Sequence, residues 1–207
     1  MTEVAKAGRA SEFPETAARG LWADRLVPVP PLRVAALDGP AAEFLVTAGL
    51  PADFPFAHGD YRVCTDDELL APLSVAGRDY LALMRHEAGW TFAIDTSNQE
   101  IWAVDPSPRG GPLFVNTDIT RFLAYAGYMN QLVTKCHAAY QRIPEPGEYS
   151  HLDRLLGLGD LIGLLEEARH VLTGWDDRAF DGAWWRPEFE KWTVGISGHG
   201  GLAIWLE

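Results

Sequence analysis

The chain reads as an α+β protein, with a central, mainly antiparallel sheet and helices packed around it. Two patterns predict this. Between Asp79 and Asp105, two stretches alternate with a period of two and a third, Ile101 to Asp105, is apolar on both faces, with short connections between them as hairpin strands require. After Asn116 the apolar spacing becomes three and four over two long stretches, as helices with a buried stripe require. Strands and helices thus segregate along the chain, whereas a doubly wound parallel sheet would alternate them.

From the N-terminus, residues 1 to about 20 are rich in Ala, Glu and Arg with little periodicity, which predicts a mobile tail or a short helix. The organisation expected is a flexible segment over residues 1–25 and a single domain over residues 26–207. Val27-Pro28-Val29-Pro30-Pro31 must be extended, because proline fixes φ and restricts the residue before it. A short helix follows, with Asp38 as its cap, Pro40 in its first turn, and Phe44 and Leu45 facing inward. Gly49 suits the C-terminal cap and Pro51 the exit.

Strands are expected over Asp79–His86, Trp90–Asp95, Ile101–Asp105 and Leu113–Val115. In the second, Trp90, Phe92 and Ile94 face one way and Thr91, Ala93 and Asp95 the other. Asn116 is placed as the N-cap of a helix, with Asp118 in the first turn. Its buried stripe runs Ile119, Phe122, Leu123, Ala126, Met129, Val133, Cys136 and Tyr140. A loop spans Ile143 to Gly147, then a helix extends to about Leu172 with Leu161, Leu164, Leu165, Ala168 and Leu172 along one side. Trp192–Ser197 and Leu202–Leu206 read as a terminal hairpin.

The formal charge of −12, from 29 acidic against 17 basic residues, disfavours nucleic-acid backbones and anionic membranes. It favours a basic protein partner, although acidity also serves plain solubility. Cys64 and Cys136 lie far apart and read as buried free thiols. No signal-peptide stretch and no run of about 18 apolar residues is present, so a cytoplasmic protein is expected.

Motifs for catalysis or cofactors do not hold up on inspection. The six histidines include no His-Glu-x-x-His pair. Cys136-His137 diverge around a helix, and His151-Leu152-Asp153 reads as solvated or capping in preference to a metal ligand. Gly157-Leu158-Gly159-Asp160-Leu161-Ile162-Gly163 follows no strand, and its Asp160 would repel a pyrophosphate. Gly195-Ile196-Ser197-Gly198-His199 has His where a nucleophile elbow needs Gly. No catalytic residue, metal or cofactor is assigned.

An ordered set of short signatures does stand out. Gly49-Leu50-Pro51 closes a helix; Trp90-Thr91-Phe92-Ala93-Ile94-Asp95 and Glu100-Ile101-Trp102-Ala103-Val104-Asp105 follow; Leu113-Phe114-Val115-Asn116-Thr117 then opens a helix bearing Phe122-Leu123. Together with Asp176 to Trp185, the series over roughly residues 40 to 190 resembles the fourth family of the SUKH superfamily, immunity proteins of bacterial polymorphic-toxin systems. Thr117 stands where that family has Ser. The resemblance implies a SUKH-like α+β fold, no catalytic residues, and an antitoxin role in which the chain sequesters a toxin domain, often a nuclease.

The residues that carry the resemblance (Gly49, Leu50, Pro51, Asp95, Asp105, Asn116 and Phe122) also read as fold-specifying. Gly49 permits positive φ, Asn116 satisfies a helix N–H, and Asp95 and Asp105 accept from turn amides. For a partner surface the candidates are Asp66, Asp67, Glu68, Asp176, Asp177, Trp184 and Trp185. Thr65 to Glu68 reads first as a capping box, and the two tryptophans first as core. Other functional classes are a scaffold or regulatory protein-binding module, and a hydrolase or transferase in which His137, His151, Cys64 and Asp95 converge.

Overall fold

The computed structural model describes residues 14–52, 54–56, 59–64, 68–86, 89–105, 111–140, 151–187 and 189–190. Contacts divide the chain into two compact units, Met1–Asn130 and Gln131–Glu207.

The first unit starts with helix α1 over residues 14–22, which buries Ala18 and Trp22. A 3-10 turn, Ala23–Arg25, leads into β1 (Leu26–Val27). Helix α2 (Gly39–Thr47) carries Pro40 in its first turn and buries Phe44 and Leu45, as its spacing predicts. Asp38 precedes it in extended conformation, yet its side chain makes no capping bond. Its carbonyl oxygen accepts from Gln99 Nε2 at 2.6 Å.

Beyond α2, Gly49 (φ +93°) turns the chain into β2 (Leu50–Pro51), which pairs antiparallel with β1. Strands β3 (Phe54–Phe56), β4 (Gly59–Val63), β5 (Pro72–Val75), β6 (Arg78–His86), β7 (Thr91–Asp95), β8 (Ile101–Val104) and β9 (Leu113–Asn116) make one seven-stranded sheet. Its order is β3-β4-β6-β7-β8-β9, with β5 beside β6, and every pair is antiparallel. The α+β architecture expected from the sequence is what forms.

β6 serves two neighbours on one edge. β4 pairs with its C-terminal end, Val63 opposite Met84, and β5 with its N-terminal end, Leu73 opposite Tyr80. Between them the ladder continues through Cys64 N–H to Leu83 O, Leu70 N–H to Ala82 O and Ala82 N–H to Ala71 O. Neither β3 nor β5 was anticipated, since each contains a proline.

The alternation in β7 predicts a strand with one polar face, but all of Thr91–Asp95 is buried. One face meets α3 (Ile119–Tyr140), with the Phe92 and Phe122 rings 5.0 Å apart. On the other face Ala93 joins Tyr80 and Val104 in a second cluster, packed by Leu73, Val75 and Trp102. Both sides of β7 are therefore buried, one under α3 and the other among side chains of the sheet itself.

Asn116 is a correction to the sequence reading. It is the last residue of β9, fully buried and opposite Ile101, and it does not hold the position before α3. Asp118 does: its Oδ1 accepts from Arg121 N–H at 2.8 Å and Thr120 Oγ1 at 2.7 Å, and its carboxylate pairs with the Arg121 guanidinium. The strand simply runs further than its apolar residues suggested. The stripe on α3 also differs, since positions 122–126 are all buried. The first half of α3 lies between the sheet, through Phe92, and α1, whose Trp22 Nε1–H donates to Leu123 O at 2.8 Å.

In the second unit, α3 residues Leu132, Cys136 and Ala139 are buried, so the stripe passes through Leu132 and leaves Val133 half-exposed. Helix α4 (His151–Trp175) buries Leu161, Leu165, Ala168 and Leu172, with Leu164 half-buried. Gly157 to Gly163 lies inside this helix, so it forms no phosphate-binding turn. Helix α5 (Asp177–Phe180) is capped by Asp176, which accepts from Ala179 N–H at 3.1 Å. Phe180 packs edge-on against Phe189 at 5.3 Å. The loop at Ile143–Gly147, the turn at Thr65–Asp67 and the terminal hairpin lie outside the described residues.

Candidate functional site

The residues singled out from sequence fall into different parts of the fold, and their local geometry is mostly architectural. At Gly49 a Cβ would lie 1.8 Å from the Val27 carbonyl oxygen, so the close β1–β2 pairing and the positive φ both require glycine. Leu50 and Pro51 are buried in that small ladder. Asp95, 2% exposed, accepts from Ser97 N–H at 2.8 Å and Ser97 Oγ at 2.6 Å, which pins the β7–β8 turn. Asp105 sits half-buried just past β8. Phe122 stacks on Phe54, with centroids 5.7 Å apart, and meets Phe92 at a tilt, 5.0 Å away.

The candidate surface residues are similarly dispersed. Asp66 and Asp67 lie outside the described residues. Glu68 is shared by two arginines, Arg62 at 2.9 Å and Arg85 at 3.2 Å, so its charge is answered within the chain. Asp176 is a buried helix cap, while Asp177 is exposed. The tryptophan pair divides, with Trp185 at 1% exposure in the core and Trp184 half-exposed.

Of His137, His151, Cys64 and Asp95, the side chain of His151 lies outside those described, and Asp95 is taken up by the Ser97 turn. Burial pushes the Cys64 thiol up to about 11 and raises Cys136 as well, so both remain protonated at neutral pH. His137 is exposed on α3. Among the described residues no group of three or more His, Cys, Asp and Glu side chains could hold a metal ion.

The sheet face opposite α3 is built differently. Directly paired residues in antiparallel strands share a face. Leu73, Tyr80 and Asp95 therefore form one cross-strand row, and Ala82, Ala93, Trp102 and Phe114 the next. Arg62, Arg85, Thr91 and Val104 make a third. Arg78 lies over the Trp102 ring at 5.0 Å and sits 3.6 Å from Asp95 Oδ2. Trp102 meets Phe114 edge-on at 5.6 Å. Burial raises the Tyr80 phenol, and the neighbouring Arg78 partly offsets that. Arginines and half-buried aromatics thus gather on one face of an otherwise acidic chain. Sequence reasoning had the parity of β7 but did not carry it across the β7–β8 hairpin, which would have brought Trp102 beside Ala93.

The order of elements, the Gly49-Leu50-Pro51 turn, the two hairpin strands and the entry into α3 fall within one family match. The profile described as SUKH-4 immunity protein aligns with residues 13–191. The chain belongs to the SUKH-4 immunity protein family. Neither a curated protein nor a solved structure matches it significantly. Membership in SUKH-4 covers the whole seven-stranded sheet and helices α1 to α5. Among the described residues, no helix is long and apolar enough to cross a membrane.

Proposed function

We propose that this SUKH-4 chain protects the cell that makes it by binding a cognate toxin domain and occluding that domain's active site. The observation that carries the reading is the family match over residues 13–191, which names an immunity protein. The chain acts by non-covalent association in the cytoplasm and performs no chemistry of its own. Two protonated, buried thiols support that view, since they are poor nucleophiles.

The net charge of −12 favours a basic partner, as nucleases often are, by raising the rate of encounter. Asp177 and Trp184, the solvent-accessible members of the acidic-aromatic segment, remain candidate contacts at its rim. Co-expression with the C-terminal domain of the neighbouring toxin gene tests the reading. Growth should be restored and the two proteins should co-purify; continued toxicity with no complex would refute it.

A further inference from the structure

On the sheet face opposite α3, four buried polar atoms lack hydrogen bonds among the described residues: Arg85 Nε, and the three that lie about Arg78, namely Tyr80 Oη, Asp95 Oδ2 and Trp102 Nε1. Tyr80 is fully buried and Asp95 only 2% exposed. They belong to the adjacent strands β6, β7 and β8 and share a face, Tyr80 directly opposite Asp95 and Trp102 directly opposite Ala93. Folded proteins pair nearly all such atoms, so three in one cluster call for a ligand or a partner group.

Arg78 links the cluster. Its guanidinium covers the Trp102 ring at 5.0 Å and approaches Asp95 Oδ2 at 3.6 Å, too far for a hydrogen bond. Half of its side chain, 51%, is exposed, so it can swing aside by giving up its hold on the Asp95 carboxylate and the Tyr80 phenol. The three open atoms state what they need. Asp95 Oδ2 only accepts, Trp102 Nε1–H only donates, and Tyr80 Oη does either. A carboxylate would suit the two donors but oppose Asp95. An ammonium group would suit Asp95 and leave the indole unmet. A planar amide offers an N–H and a C=O together and answers all three.

We propose that Arg78, Tyr80, Asp95 and Trp102 form a subsite that receives an amide group of the partner protein, from an Asn or Gln side chain or an extended main chain. This rests on the protein-binding reading above and locates one contact within it. Arg78 is the movable cover, and the indole and the phenol fix the amide's orientation.

The test uses the full chain and the neighbouring toxin domain, with Tyr80→Phe and Trp102→Phe as variants. Each removes one polar hydrogen and keeps an aromatic ring. Both should bind about five- to tenfold more weakly, by loss of a buried hydrogen bond, with thermal midpoints unchanged or raised for Tyr80→Phe. If wild type and both variants bind alike, the subsite is wrong while the immunity reading stands. If wild type does not bind, that reading fails, and the subsite is then decided by titrating N-methylacetamide against the Trp102 indole N–H resonance. A saturable shift that Tyr80→Phe abolishes upholds it. No shift overturns it, and buried water is then what meets these atoms.

Discussion

Gly49 shows how one residue can hold two requirements at once. Its positive φ would cost any L-residue about 1–3 kcal/mol, and the Val27 carbonyl occupies the space a Cβ would need. Gly49→Ala should therefore destabilise the chain by at least about 2 kcal/mol in urea titration, more than a mid-helix Gly→Ala exchange could. Gly159 in α4 supplies the control, because a Cβ there meets nothing within 4 Å. Cys64 makes a different prediction at the same scale. Its thiol is raised by burial from 9.0 to about 11, so the native state holds the proton more firmly than the unfolded chain does. The stability linked to it is intact below about pH 9 and is lost as pH climbs through about 11. Stopped-flow reaction with a thiol reagent at pH 8 should be slow for the folded protein and fast in denaturant.

Among the elements, α3 depends on a cap and on a glycine. Asp118→Ala removes the bond to Arg121 N–H and should cost about 1 kcal/mol by chemical denaturation. Gly127→Ala would press a methyl to 2.9 Å from Leu21 Cβ and 3.0 Å from Trp22 Nε1. It should cost about 1–3 kcal/mol through overpacking and shift Trp22 fluorescence as the indole leaves Leu123 O. The same elements show what sequence could reveal. Strands β6 to β8 were legible because their apolar runs are separated by short turns, and β9 as a brief apolar run ahead of a helix. β3 and β5 were not, because Pro55 and Pro72 hide strands whose partners supply the order. Asn116 and Asp118 both suit a cap, and only the reach of β9 decides between them. The Arg78, Tyr80, Asp95 and Trp102 cluster needs the register across two hairpins, which composition cannot give. Arg78 and Tyr80 two apart on one strand were its only local sign.

For the molecule as a whole, charge and recognition act over different ranges. A net charge of −12 is felt over a distance that shrinks from about 30 Å at 0.01 M salt to about 8 Å at 0.15 M. The association rate with a basic toxin domain should therefore fall steeply with added salt in a stopped-flow series, while dissociation changes little.

β6 has a consequence for how the sheet comes apart. Two strands and the link between them bond along one of its margins, and β7 along the other. No neighbour can be peeled away and release it, so opening must reach β6 last. The amides of Ala82 and its flanking residues should be among the slowest in the protein to trade hydrogen for deuterium, outlasting those of β3 and β9 at the margins of the strand order. A nine-residue strand thereby acts as the seam that makes the sheet yield all at once.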